Sequence, residues 1–210
     1  MSFGLRNAAQ TFQRFMDEIL KGLDFCFAYI DDILVFSRSP QEHDQHLRTL
    51  FTKLQKCGIL LNPSKCVFRV PEISFLEYKI SSVGSRPLPD HVADLQASPP
   101  PKTVSHLRRF LGMLNFYRHF LPHAASNQSP LHAVLSGPKV KGSHPVTWTD
   151  TLIAAFKECK ASLSQAAVLG HPDPTAPLAL VTDASTITMG AILQQRVQAK
   201  WQPLAFSLGS

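Results

Sequence analysis

The sequence predicts an α+β fold, and three observations carry that expectation. Apolar residues recur at helical spacing in four separate stretches, short aromatic and β-branched runs lie between and beyond them, and Pro99-Pro100-Pro101 parts two stretches of different charge. With 210 residues, 44% hydrophobic and 17% charged, the chain has the length for one large domain or two small ones and the composition of a folded protein. It has no apolar run near the roughly 18 residues that suggest a membrane span, and no basic-then-apolar leader. The expectation is a soluble intracellular protein. Cys26, Cys57, Cys66 and Cys159 form neither a C-x-x-C pair nor a disulfide-framework spacing and read as reduced thiols.

From Asn7 to Leu23, the residues Ala8, Phe12, Phe15, Met16, Ile19, Leu20 and Leu23 make one face of an amphipathic helix that ends near Gly22. Phe25 to Tyr29 and Ile33 to Phe36 then read as strands with Asp31-Asp32 at the tight turn between them. Ser39-Pro40-Gln41-Glu42 supplies an N-cap, a proline at the first helical position and a glutamate to close a capping box. The helix it starts runs to about Lys56, with Gly58 just past its end. Val67 to Ile80 reads as two strands around Pro71, and Gly84 to Pro89 as a turn. Beyond the stiff polyproline connector, Thr103 caps a helix whose apolar stripe is Leu107, Phe110, Leu111, Leu114, Tyr117 and Leu121. Gly137 to Pro145 reads as a loop, Asp150 to Leu163 as a helix with Ala155, Phe156 and Cys159 inward. Leu178 to Thr182 is a strand ending at Asp183, paired with Met189 to Gln194.

Charge is distributed unevenly. Lys plus Arg is 21 and Asp plus Glu is 15, yet Leu95 to Thr149 holds no acid against Lys102, Arg108, Arg109, Arg118, Lys139 and Lys141. The whole net +6 therefore lies in that stretch. Such segregation is the footprint of a surface facing polyanion, most simply nucleic-acid phosphate.

Asp31-Asp32 is the sharpest chemical feature. Two adjacent carboxylates at a bend repel one another, and a divalent cation relieves the repulsion. Phosphoryl-transfer enzymes use carboxylates in this way to hold two Mg²⁺. On its own, the pair reads first as a solvated turn, for which Asp-Asp is a common dipeptide. His43 and His46 read as helix-surface residues.

Tyr29-Ile30-Asp31-Asp32 resembles the Tyr-x-Asp-Asp signature of reverse transcriptases, and the segment from Phe3-Gly4-Leu5-Arg6-Asn7 through Gln10 to Arg14 is similar to the nucleotide-pocket motif of gypsy-type LTR retrotransposon polymerases. Leu61-Asn62-Pro63-Ser64-Lys65-Cys66, Phe75-Leu76, Pro99-Pro100-Pro101-Lys102-Thr103 and Leu107-Arg108-Arg109-Phe110-Leu111-Gly112 follow in the same order as in the Pol polyprotein. From Trp148, with Leu180-Val181-Thr182-Asp183-Ala184-Ser185, the chain resembles the start of the ribonuclease H-like domain.

The resemblance implies a partial palm over residues 1–98, a basic helical thumb and connection over 99–146, and a truncated α/β ribonuclease H-like domain over 147–210. It implies an RNA-directed DNA polymerase and ribonuclease H acting on an RNA/DNA template-primer duplex and dNTP with Mg²⁺. Asp31, Asp32 and Asp183 would be metal and catalytic carboxylates. Phe3, Gly4, Asn7, Gln10 and Tyr29 would shape the nucleotide and primer pocket, and Lys65 would serve the leaving pyrophosphate. Lys102, Arg108, Arg109 and Arg118 would touch the sugar-phosphate backbone. The family's third polymerase carboxylate and its fingers lie upstream of the Phe-Gly-Leu motif, so the Mg²⁺ seat is incomplete here and this chain alone is expected to extend no primer without a missing polymerase segment or another Pol chain. The competing expectation is a non-catalytic nucleic-acid- or protein-binding remnant. Glu77 stands where the family usually has glycine.

Overall fold

A computed structural model describes residues 7–136, 141–184 and 189–209. Phe3, Gly4, Lys139, Ser185 and part of the expected Gly137 to Pro145 loop lie outside the described residues. The chain divides into two compact units at Val70 and Pro71.

In the first unit, α1 (Ala8–Leu20) is followed by a hairpin of β1 (Cys26–Tyr29) and β2 (Asp32–Val35), then by α2 (Pro40–Lys56) and a short 3-10 turn, Pro63–Lys65. Met16, Ile19 and Leu20 of α1, Ala28 of β1, and Leu50 and Leu54 of α2 form the core, with Cys26, Ile33 and Val35 packed against it. Alternation along the strands therefore turns Phe27, Tyr29, Asp32 and Leu34 to the opposite face. The ends of α2 are fixed as its sequence predicts. Ser39 Oγ accepts from the Glu42 N–H, although the Glu42 carboxylate reaches past the cap to the Arg38 N–H. At the far end Gly58, with φ +70, closes a Schellman turn in which the Gly58 and Ile59 N–H groups donate to the Gln55 and Leu54 carbonyls.

The second unit begins with an antiparallel meander of β3 (Glu72–Phe75), β4 (Tyr78–Ser81) and β5 (Gly84–Pro87). Four helices follow: α3 (Pro89–Ala97), α4 (Val104–Phe116), α5 (Ala124–Leu135) and α6 (Asp150–Ser164). A second meander of β6 (Leu178–Ala184), β7 (Met189–Val197) and β8 (Lys200–Gly209) completes it. Thr103 caps α4, its hydroxyl accepting from the His106 N–H, and every residue of the expected stripe from Leu107 to Leu121 is buried. Phe156 of α6 packs on this stripe, its ring 4.7 Å from Phe110 and 5.4 Å from Trp148. Burial pushes the Cys159 thiol up to about 12, so it stays protonated and unreactive at neutral pH.

Several expectations are corrected. Asp32 opens β2 rather than sitting in the turn, which consists of Ile30 and Asp31. Val67 to Val70 form no strand, and Gly84–Pro87 is the third strand of a meander, not a turn, because all four of its residues pair with β4 while Ser85 is bridged to Leu169 in both directions on the other side. Helices α3 and α5 and strand β8 had no sequence signal strong enough to announce them: α3 buries only Leu95, and α5 carries Pro130. The Pro99–Pro101 connector is internal to the second unit. There the Pro101 carbonyl accepts from Trp148 Nε1, and β4 is held to the helices by Tyr78, whose ring stacks on Phe116 at 5.5 Å.

His119 joins that aromatic group, hydrogen-bonded to the Tyr78 hydroxyl at 3.3 Å. Burial, aided by Arg118, holds its imidazole below the ordinary 6.5. The folded state thus binds fewer protons than the unfolded chain. The stabilisation is present above pH 6.5 and is lost as the pH falls through that value toward the folded one. The unfolding midpoint of the chain should fall between pH 7.5 and 5.5 more steeply than that of a His119→Gln variant; parallel curves in calorimetry would refute this linkage.

Candidate functional site

The hairpin tip presents the carboxylate pair. Asp31 occupies the turn and Asp32 the first position of β2, opposite Tyr29, and all three are exposed. Neither carboxylate has an ion-pair or hydrogen-bond partner among the described residues. Two neighbouring oxygen donors lacking a counter-ion suit a hard divalent cation. They are not a complete set, since no group of three ligating side chains converges among the described residues.

The other expected pocket residues divide between those the structure describes and those it does not. Asn7 precedes α1 and Gln10 lies in its first turn, both exposed. Lys65 ends the Pro63–Lys65 turn, exposed and without an acidic partner among the described residues; Asn62 holds this turn by accepting from the Ser64 N–H and hydroxyl. Asp183 lies near the end of β6, exposed and opposite Gly190, in the other unit from Asp31 and Asp32. One contributor was missed by sequence reasoning. Gln13 shares a helix face with Met16 and Leu20, and its amide binds the hairpin beside the carboxylate pair. A polar residue interrupting that apolar face was the available signal.

The hairpin at Phe75-Leu76 closes through Leu76 and Glu77, at φ +48 and +68, and keeps an unbroken Phe75 to Tyr78 register. Non-glycine residues are strained in that region. Glu77 is also held from outside, its carboxylate 2.6 Å from His91 Nδ1.

In the basic stretch, Lys102, Arg108, Arg109, Arg118 and Lys141 are exposed, and none has an acidic partner among the described residues. The Lys141–Val146 segment lies along the start of α4. There the Val104 and Ser105 N–H groups donate to the His144 and Gly142 carbonyls, and Val146 N–H donates to the Lys102 carbonyl. The first amides of α4 are therefore occupied and not free to receive an anion, and Lys102, Arg108 and Lys141 are the exposed cations at this end.

Comparison with known proteins identifies the two regions of the chain. Residues 1–80 match the family "Reverse transcriptase (RNA-dependent DNA polymerase)", and residues 148–208 match the "RNase H-like domain found in reverse transcriptase". Over 98% of its length the chain is 35% identical to the retrovirus-related Pol polyprotein from transposon opus of Drosophila melanogaster. Over 93% of its length it is 32% identical to the transposon Tf2-3 polyprotein of Schizosaccharomyces pombe. It spans 21% and 14% of those relatives. The foamy viral protease-reverse transcriptase in complex with dsDNA has the same fold at TM-score 0.84 and 24% identity, covering 99% of this chain and 43% of that one. Its complex with an RNA/DNA hybrid gives 0.84 at 23% identity, covering 100% and 28%. With the two family matches in this order along one chain, and relatives that are retrotransposon polyproteins, the chain is a retrotransposon Pol region in which a reverse-transcriptase part runs into an RNase H-like part.

Proposed function

We propose that this chain carries part of the active site of an RNA-directed DNA polymerase that transfers nucleotides onto the primer end of a template-primer duplex. The observation that supports it is the adjacent pair Asp31 and Asp32, exposed at a hairpin tip beside Tyr29 and without a partner among the described residues, within the segment that matches the polymerase family. Residues 1–98 act as palm, 99–146 as thumb and connection, and 147–210 as the beginning of the RNase H-like domain, where Asp183 is the metal carboxylate.

Asp31 and Asp32 are the residues that would hold Mg²⁺, whose charge would neutralise the phosphates of nucleotide and primer. The chain's own contributions are positional and electrostatic. Tyr29, on the same hairpin face as Asp32, lies beside the primer end. Asn7 and Gln10, with Phe3 and Gly4, border the incoming nucleotide, and the Lys65 ammonium stands ready to neutralise or protonate the departing pyrophosphate. Lys102, Arg108, Arg109 and Arg118 hold the duplex by its phosphates, which fixes register without reading sequence.

Primer extension on a template-primer with Mg²⁺ tests this reading. The 210-residue chain alone should make no product, because among the described residues no third ligating side chain joins the two carboxylates. Joined to the preceding polymerase segment of a matched relative, it should become active. Asp31→Asn should then lower the rate by about 10² to 10³, the scale of losing one transition-state contact. Extension by the isolated chain would refute the first expectation. A joined enzyme indifferent to Asp31→Asn would refute the carboxylate assignment and leave salt-sensitive duplex binding as the surviving role.

A further inference from the structure

We infer that Gln13 is the positioning residue of the Asp31-Asp32 pair, its side-chain amide locking the hairpin tip that carries them. This rests on the reading of those carboxylates as the metal-binding pair. The amide is fully used. Gln13 Nε2 donates to the Ala28 carbonyl at 2.9 Å and to Asp17 Oδ1 at 2.8 Å, while Oε1 accepts from the Ile30 N–H at 2.6 Å.

Those backbone partners explain what the contact does. Tyr29 pairs with Asp32 across the hairpin, and the groups Gln13 takes are the carbonyl before Tyr29 and the N–H after it. In an antiparallel pair, residues flanking a hydrogen-bonded position direct their polar groups to the outer edge. The Gln13 amide meets that edge as a peptide group of a neighbouring strand would. Asp17, one helical turn further along α1, holds the amide in orientation, so carbonyl and NH₂ cannot exchange places without losing all three bonds.

The turn needs such a hold. Ile30 sits at φ +51, a conformation that β-branched residues rarely adopt, and its N–H immediately precedes Asp31. Strained backbone of this kind persists where surrounding contacts over-determine it. Gln13 supplies contacts on both sides of Tyr29 from a helix anchored in the core by Met16, Ile19 and Leu20. Releasing the amide would leave Ile30 free to relax, and Asp31 and Asp32 would lose their fixed mutual placement while the hairpin remained paired.

The test uses the full 210-residue chain, with Gln13→Met to remove the amide at similar volume and Gln13→Met/Ile30→Gly to remove the strain as well. Mn²⁺ is the probe, titrated by electron paramagnetic resonance, with amide hydrogen exchange read in parallel and circular dichroism checking the fold. Gln13→Met should speed exchange at Ile30 and weaken Asp31-dependent Mn²⁺ binding by about tenfold, the scale of one or two hydrogen bonds. Adding Ile30→Gly should restore much of the affinity, because glycine takes φ +51 without help. Unchanged exchange at Ile30, or faster exchange with undiminished Mn²⁺ affinity, would overturn the inference. If the unaltered chain shows no Asp31-dependent Mn²⁺ binding, the metal reading of the pair fails instead, and Ile30 exchange still decides whether Gln13 locks the turn.

Discussion

Gly84→Ala is expected to lower the unfolding midpoint of the second unit by about 10 °C, the shift that about 3 kcal/mol produces in a unit of this size. Gly84 opens β5 at φ +147, where an L side chain is strained whatever space is available. Here there is no space. An added Cβ would lie 2.1 Å from the Leu169 carbonyl oxygen and 3.0 Å from its carbon, both backbone atoms that cannot swing aside. That oxygen accepts from the Ser85 N–H at 2.9 Å, and the Leu169 N–H returns a bond to the Ser85 carbonyl at 3.0 Å. Moving Leu169 away therefore breaks the bridge between the first meander and the segment that follows α6. It also disturbs Gly170, whose N–H donates to the Pro203 carbonyl of β8. Gly112→Ala is the matched control. Gly112 lies within α4 with nothing within 4 Å of the added carbon, so alanine there should stabilise by about 0.5–1 kcal/mol. Thermal unfolding followed by circular dichroism decides the matter: a Gly84→Ala midpoint within a degree of the parent would show that the bridge contributes little.

Reversing Arg108, Arg109 and Arg118 together to glutamate should weaken binding to a nucleic-acid duplex by about a hundredfold or more at low salt, and reduce the slope of log affinity against log salt by about three. The three guanidinium groups are exposed on α4 and the short turn after it, in a stretch without a single acid from Leu95 to Thr149. Nothing on their own segment neutralises them, so the field they project is spent on whatever anion approaches. The apolar stripe beneath is buried and points away, so the substitutions should leave the fold intact. Arg86→Glu makes the comparison, because Arg86 already has its counter-ion in Glu72 at 2.9 Å. It should change the salt slope less than any one of the three. Fluorescence anisotropy with a labelled duplex across a salt series measures both quantities, and a triple variant with parental slope would remove this surface from the interface.

How much of this could be read beforehand depended on the range of the interactions. The stripe on α4, the cap at Ser39, Gly58 past the end of α2 and the hairpin around Asp31 all rest on residues a few positions apart. Their spacing is a property of the chain itself. Elements with weak local signals went unseen: α3 has few apolar positions, α5 is interrupted by Pro130, and both are helical because the buried surface of α4 and α6 gives them something to cover. The carboxylates of the candidate site were legible as a motif. What steadies them was not, because Gln13 meets Ile30 across seventeen positions of sequence.

By itself the sequence determined the family, the adjacent acids, the acid-free basic stretch and the helices whose apolar periodicity is complete, since each is written in residue identity and local spacing. Only the tertiary structure decided that the compact units part at Val70 and not at the prolines, that Gly84 begins a strand bridged to Leu169, and that one amide on α1 holds the turn beneath the two aspartates. The physical reason is common to all three. Each depends on a hydrogen bond or packed ring joining distant parts of the chain, and such a partner exists only once the intervening residues have folded.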